Sequence, residues 1–220
     1  TALHALSPGA IVTSTLFSLE GLGIGLTGGA GHLGSAISLA LAELGAVVVA
    51  CGRSRERLQQ LQDRVTDAGA ARGRIVTFVA DVTRQEDVEE VLDRIESEAG
   101  SVSGWINNAC GSDATRLGAM TASALNASLD GTFTSAALAL QAAAKRMRSG
   151  GSIVNVASMY GFVSPQPAAY LEYPEFHNPP GYGAAKAALL QLTRYAACHL
   201  APRKIRVNAV SPGPFPSATV

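Results

Sequence analysis

Charge is scarce in this sequence. Of its 220 residues only 15% are Asp, Glu, Lys or Arg, 17 of each sign, so the formal net charge is zero. An average soluble domain carries about 25%. Without a basic excess there is no electrostatic footprint for nucleic acid. The shortage also implies that a partner subunit, a cofactor or further chain covers surface that charges would otherwise decorate. Cysteine is equally sparse. Cys51, Cys110 and Cys198 are far apart, with no CxxC and no Cys/His cluster. That excludes a zinc site or other metal centre and a disulfide framework, and predicts buried free thiols in a reducing compartment. No apolar run approaches the roughly 18 residues of a membrane span. Residues 1–19 lack the charged leader of a signal peptide. The expectation is a cytoplasmic protein with no membrane partner. The 23 glycines have no triplet period and aliphatic runs are frequent, so collagen-like and disordered classes are excluded as well.

What is present is a regular alternation. Residues 1–18, broken by Ser7-Pro8-Gly9, read as an N-terminal arm, and residues 19–220 as one dinucleotide-binding domain that also carries the catalytic residues. Short aliphatic runs predict six strands, at 22–26, 46–50, 75–80, 102–106, 152–157 and 205–210. Between them lie helical patterns. The first is small-residued and reaches about residue 44; the next has Leu58, Leu61 and Val65 on one stripe. Thr83 with Glu86 reads as a capping box opening a helix whose core face is Val88, Val91, Leu92 and Ile95. An Ala-rich helix is expected over about 129–148 and another from Tyr182 to about residue 200. Alternating strands and helices, with right-handed crossovers, predict an α/β fold: a Rossmann-type doubly wound parallel sheet in a single domain.

Between the first strand and first helix stands Thr27-Gly28-Gly29-Ala30-Gly31-His32-Leu33-Gly34. Gly29, Gly31 and Gly34 fit the spacing of a dinucleotide-binding loop in the strand–loop–helix setting that function requires. Backbone there must turn sharply, approach a pyrophosphate without a Cβ in the way and aim helix N–H groups at its charge. Glycine turns also serve close helix–strand packing, but the setting favours the dinucleotide. His32 falls in the first helical turn and reads as a residue beside the cofactor rather than a catalyst. The second strand ends Ala50-Cys51-Gly52-Arg53, without the carboxylate that holds the ribose hydroxyls of NAD. Arg53, helped by Arg55 or Arg57, suits a 2′-phosphate, so NADP is preferred to NAD. A solvated arginine at a helix start is the alternative.

Tyr182-Gly183-Ala184-Ala185-Lys186 is a Tyr-x-x-x-Lys. Taken with the 27–34 loop, Asn107-Asn108-Ala109, Ser158 and Pro212-Gly213, the sequence resembles the short-chain dehydrogenase/reductase family over nearly all of 19–217. On helical spacing Tyr182 and Lys186 share a face. A phenol, ordinarily of pKa near 10, needs a nearby positive charge to act near neutrality, and Lys186 together with an oxidised nicotinamide is expected to supply it. The resemblance implies that Tyr182 exchanges the proton with the substrate oxygen, Ser158 hydrogen-bonds the same oxygen and Lys186 holds the nicotinamide ribose. It implies cofactor contacts from Thr27, Gly28, Gly31, His32, Leu33, Gly34, Gly52 and Arg53. Asp81, with Val82 beside it, falls at the adenine, Asn107 and Ala109 on the adenosine side, and Pro212, Gly213 and Phe215 around the nicotinamide. Ser217 stands where the family usually has a cofactor-binding Thr.

Four departures from the family pattern matter. The glycine spacing is that of its extended branch, with His32 where the shorter branch has Gly, although Asn107-Asn108-Ala109 and the 206–213 run belong to the shorter branch. Ser158 precedes Tyr182 by 24 residues, farther than usual, and the extra 170–180 stretch suits a substrate-contacting loop, a surface flap or a subunit contact. Tyr170 lies nearer the usual distance but has Pro174 where the Lys belongs. Ser128 aligns with the family's catalytic Asn, and Asn126 faces the wrong way for that role. Finally, the family continues beyond Pro212-Gly213 through a substrate lid and a last strand, which this chain is expected to lack.

The activity these features imply is an NAD(P)-dependent oxidoreductase that interconverts a secondary alcohol and a ketone. The lead-in to Tyr182 and the 211–216 stretch resemble gluconate- or sugar-type dehydrogenases, which points to a polyol or sugar acid. A non-catalytic dinucleotide-binding sensor or structural subunit is the alternative. The helices expected over 135–147 and 182–200 form dimer faces in related proteins, so a homodimer or homotetramer is expected.

Overall fold

The structure, a computed structural model, describes residues 17–67, 72–148, 150–172 and 177–215. Apart from Phe17 and Ser18, the N-terminal arm expected over 1–18 therefore lies outside the described residues. Sheet formation starts from β1 (Gly23–Thr27), all five residues of which are buried. Its alternation is steric. A Cβ on Gly25 would stand 2.5 Å from the Trp105 ring and one on Gly23 would stand 2.4 Å from the Ser101 carbonyl, so one face of the strand yields its volume to Trp105 and Ile95. Ile24 and Leu26 fill the other face.

Around β1 lie β2 (Val47–Gly52), β3 (Arg74–Val79), β4 (Gly104–Asn107), β5 (Gly151–Val156) and β6 (Ile205–Val210), in the order β3-β2-β1-β4-β5-β6. Every pairing is parallel. β1 pairs with both β2 and β4, so the winding reverses there and leaves a crevice at the carboxyl ends of the strands. Helices α1 (His32–Glu43) and α2 (Arg55–Asp67) bury Ala42 and Leu61 with Ile24, Leu26, Val48 and Ala50. On the opposite face α3 (Gln85–Ala99), α5 (Ser135–Arg146) and α6 (Pro180–Leu200) cover Val49, Trp105, Ile153 and Val207. The predicted stripe Val88, Val91, Leu92 and Ile95 is buried throughout. Some of the sparse charge is concentrated between helices, where Arg146 on α5 meets Glu89, Asp93 and Glu96 on α3 at 2.7–2.9 Å. Among the described residues no helix is long and apolar enough to cross a membrane.

Three expectations change. The helix expected over 129–148 is two helices, α4 (Ala122–Leu129) and α5, joined by a π-helical turn at Asp130–Thr134. The cause is a crossing loop. The Gly111 N–H donates to the Gly131 carbonyl at 3.0 Å and Thr132 Oγ1 donates to the Gly111 carbonyl at 2.8 Å, which opens the helical turn. The Thr83/Glu86 capping box does not form. Thr83 instead gives both its N–H and its hydroxyl to Asp81 Oδ1, at 3.1 and 2.8 Å, because a carboxylate two residues away is the nearer acceptor. Of the three free cysteines only Cys51 is buried, since β2 lies in mid-sheet, whereas Cys110 follows β4 into the crevice and Cys198 faces outward on α6.

Candidate active site

The crevice is built first from backbone. Gly28 takes φ +63°, and a Cβ on Gly34 would fall 2.0 Å from the Gly28 carbonyl oxygen, so strand and helix can close on each other only here without side chains. Gly31 caps α1 with no side-chain hydrogen bond, which leaves the first-turn N–H groups available to an anion. The loop is clamped to the end of β4. Thr27 Oγ1 accepts the N–H groups of Asn108 and Ala109, both at 2.9 Å, and Asn108 Nδ2 donates to the Thr27 and Gly28 carbonyls, both at 3.0 Å.

A cavity of about 510 Å³ opens above this loop, lined on one side by Gly28, Gly31, His32, Leu33 and Gly34. Gly52, Arg53, Ser54 and Arg57 form its second edge, and Asp81, Val82, Thr83, Ala109 and Cys110 complete the wall. The side chains suit an adenosine and its phosphates: glycine where a pyrophosphate must approach, two arginines at the far rim and a fixed carboxylate. The hydrogen bonds from Thr83 hold the Asp81 carboxyl below its ordinary range, and Arg53 and Arg84 lower it further. His32 is exposed at the cavity rim, as expected of a residue beside the cofactor. An NAD(P) cradle fits these residues, because Gly28, Gly31 and Gly34 line the cavity without side chains and Gly31 leaves the first-turn N–H groups of α1 uncapped by a side chain.

Two expected cofactor contacts stand elsewhere. Asn107 points away from the cleft. It is buried, accepts from Trp105 Nε1 at 2.8 Å and donates to Asn155 Oδ1 at 2.8 Å and to the Ala136 carbonyl at 3.2 Å. The reason is the pleat: Asn107 is two residues beyond Trp105 on β4 and shares its core-facing side. Its neighbour Asn108 takes the cleft position. Thr27 is buried as a strut under the loop and does not line the cavity. Arg55, offered as a helper to Arg53, is absent from the lining, where Arg57 stands.

Ser158, Tyr182 and Lys186 come together beside this cleft. Ser158 follows β5, and its Oγ accepts the Tyr160 N–H at 3.2 Å. β5 and β6 stay paired past their ends, with Ala157 N–H donating to the Val210 carbonyl at 2.8 Å and Met159 N–H to the Pro212 carbonyl at 3.2 Å. Tyr182 and Lys186 occupy the first turns of α6, and the Lys186 Nζ lies 5.7 Å from the Tyr182 ring centroid. Lys186 is 2% exposed and donates to the Val156 carbonyl at 2.6 Å. Burial pushes the Tyr182 phenol above its ordinary range, opposed by the Ser158 hydroxyl, while burial pulls the Lys186 ammonium down. Lys186 alone therefore does not deliver the lowered phenol that the spacing suggested. Its ammonium is directed at a backbone carbonyl. Cys110 faces both groups electrostatically and lies 3.3 Å from Thr132 Oγ1.

Ser128 is the penultimate residue of α4, just before the π-helical turn. It is buried, donates to the Ala124 carbonyl at 3.2 Å and accepts the Asp113 N–H at 3.0 Å. A Cβ on Gly181 would meet its Oγ at 2.7 Å, so Ser128 packs directly beneath the start of α6. Asn126 is exposed, on another side of the helix. Gly213 is open to its surroundings, Phe215 is exposed and Ser217 lies outside the described residues. Sequence reading missed Asn108 as a clamp and Tyr160 as a neighbour of the cluster. The alternation along β4 was the available signal for Asn108.

Fold and cleft together define a class, an α/β protein built to hold a dinucleotide at its topological switch point. The family model described as short chain dehydrogenase matches residues 24–220. Over 201 residues the chain is 32% identical to the 3-oxoacyl-(acyl-carrier-protein) reductase FabG of Thermotoga maritima, covering 89% of this chain and 74% of that protein. A short-chain type dehydrogenase/reductase from Mycobacterium marinum superposes with TM-score 0.79 at 33% identity, over 90% of this chain and 74% of the other. An NAD+-bound xylitol dehydrogenase gives TM-score 0.77 at 31% identity, over 91% and 73%. The chain belongs to the short-chain dehydrogenase/reductase family. It is an oxidoreductase of that family, whose members act on CH–OH groups with NAD(P).

Proposed function

We propose that the protein interconverts a secondary alcohol and a ketone, with Tyr182 as the proton donor and acceptor. The observation that carries this reading is the convergence of Ser158, Tyr182 and Lys186 beside the glycine-walled cleft, to which Cys110, in the cleft wall, joins them. The 28–34 loop would hold the pyrophosphate, Asp81 and Val82 the adenine, Ala109 the adenosine side, and Lys186, Pro212, Gly213 and Phe215 the nicotinamide half. When bound, the nicotinamide supplies the hydride chemistry and, oxidised, a positive charge.

The protein's own contribution is proton management. Half-burial keeps the Tyr182 phenol protonated in the resting protein, ready to donate to a carbonyl oxygen that becomes a hydroxyl. Ser158, which accepts one backbone N–H, retains its own proton for the same oxygen. Lys186 anchors the first turns of α6 through Val156 and so fixes the height of Tyr182 above β5. Ser128 acts as a positioning residue under Gly181, with its proton already committed to Ala124. Tyr182→Phe should lower turnover by about 10²–10⁴-fold while leaving cofactor binding intact. Undiminished turnover in that variant refutes the role.

NADP is the preferred cofactor, because Arg53 and Arg57 stand on the cavity rim where an NAD-specific carboxylate would be. The NAD+-bound xylitol dehydrogenase it resembles makes NAD the natural comparison and supports a polyol or sugar-acid substrate series. A homodimer or homotetramer through α5 and α6 is supported by the outward Leu138 and Tyr195 on those helices. A monomer in sedimentation at micromolar concentration counts against it.

A further inference from the structure

The segment between Ser158 and Tyr182 contains a feature that the proton chemistry does not use. Ser158 is followed by a short 3₁₀ turn, Met159–Gly161, which packs against the start of α6. The packing is close. A Cβ on Gly183 would stand 3.0 Å from the Tyr160 carbonyl, and one on Gly161 would stand 2.8 Å from Leu190 and 3.1 Å from the Lys186 backbone. The backbone of Tyr160 is thus fixed against both Ser158 and the Tyr182 helix. Its side chain reaches Tyr170, at the end of a second 3₁₀ turn, and the two hydroxyl oxygens are 2.5 Å apart. The Tyr160 phenol is also close enough to Tyr182 for ionisation of one to oppose that of the other.

We infer that the Tyr160–Tyr170 hydroxyl pair selects substrates, by binding a second hydroxyl on the carbon next to the one that reacts. The inference rests on the reading of Tyr182 as the proton carrier. A phenol has one proton to give and lone pairs to accept. In the pair, one proton is shared between the two oxygens and the other remains free, with acceptor sites beside it. A substrate hydroxyl, itself donor and acceptor, satisfies both kinds of site. A methylene in the same place leaves a polar pair desolvated and unanswered, which is how a site built for a hydroxyl rejects an analogue lacking it. Hydrogen bonding to Tyr170 and burial push the Tyr160 phenol up to about 12, so Tyr160 stays uncharged and able to donate across the working pH range. Tyr160 is tied to Ser158 by its N–H at 3.2 Å and its phenol interacts with that of Tyr182, so the pair stands beside the reacting groups, which favours a vicinal diol or polyol over a compound whose second hydroxyl is remote.

The test compares kcat/KM for 2,3-butanediol and 2-butanol in the full chain with NADP+, for the wild type, Tyr160→Phe and Tyr170→Phe. The wild type should favour the diol by about tenfold or more, and either substitution should reduce that ratio towards unity. Tyr170→Phe keeps the Tyr160 ring in place and guards against a folding defect. In that variant an ultraviolet pH titration should show Tyr160 ionising earlier than about 12, nearer 10. Equal losses on both alcohols in both variants would mean a purely structural pair and overturn the inference. Equal wild-type activity on diol and mono-alcohol overturns it too, while leaving Tyr182 as proton carrier. Turnover of neither alcohol by the wild type removes both readings.

Discussion

Asn108 offers a direct measure of how much the glycine loop depends on being held. Its Nδ2 gives two hydrogen bonds, to the Thr27 and Gly28 carbonyls at 3.0 Å each, and among the described residues no other side chain bonds those two oxygens. Asn108→Ala deletes both and leaves the backbone N–H bond to Thr27 Oγ1 in place. Gly28 keeps a second donor, the Gly31 N–H at 3.0 Å, so the turn itself survives. Each lost bond is worth about 0.5–1.5 kcal/mol net, which gives roughly 1–3 kcal/mol in total. If the clamp holds the free protein's loop, that sum appears as a fall in melting temperature of roughly 2–12 °C for a chain of this size. If the loop instead loosens without unfolding the domain, the same energy must be recovered when the cofactor closes it. Kd for NADPH then rises about 5- to 140-fold at nearly constant melting temperature. Calorimetric titration with NADPH, paired with a thermal melt, separates the two. An unchanged Kd together with an unchanged melting temperature would refute the clamp.

Two further outcomes follow from the cleft and the core. NADPH should bind more tightly than NADH, and Arg53→Ala should cut that preference by about 10- to 100-fold, the worth of a charge-assisted bond to a phosphate. A clear preference for NADH in a binding titration reverses the cofactor assignment. Cys51 should give the stability profile an alkaline limb. Burial pushes its thiol from 9.0 up to about 12, so above pH 9 the unfolded chain releases a proton that the folded one keeps, and stability falls as pH rises from 9 towards 12. By pH 10 the loss is about 1.4 kcal/mol, roughly 3–6 °C in melting temperature, and Cys51→Ala should abolish that part of the slope in melts at pH 8 and pH 10. An identical slope in the variant sinks the attribution.

The strands were legible because a parallel sheet covered on both faces demands short aliphatic runs, and β2, with Val48 to Cys51 fully buried, is such a run. The glycine loop and the Tyr182–Lys186 spacing were legible because their geometry is local. What depended on contacts distant in sequence was not. The π-helical turn at Asp130–Thr134 exists because Gly111 crosses Gly131, twenty residues away in the chain. The capping box at Thr83 gave way to Asp81, whose carboxylate competes for the same hydroxyl. The Tyr160–Tyr170 pair joins two 3₁₀ turns across an irregular stretch that no periodicity describes. Asn107 is a different case. The two-residue period from Trp105 placed it in the core, and the motif it belongs to drew attention to the cleft instead.

The pairing of β5 and β6 beyond their own ends has an evolutionary corollary. Ala157 and Met159 bracket Ser158, and each donates its N–H to a carbonyl of the β6 extension, at Val210 and Pro212. A one-residue insertion or deletion anywhere from Ile205 to Pro212 would shift that ladder and turn alternate side chains to the opposite face of the sheet. The two bonds that flank Ser158 would lose their acceptors. Among the described residues beyond Pro212, Gly213 meets no neighbour that a Cβ would strike. The strand register that sets Ser158 is therefore fixed from both sides of the β5–β6 seam, so this stretch tolerates substitution of side chains far better than any change in its length.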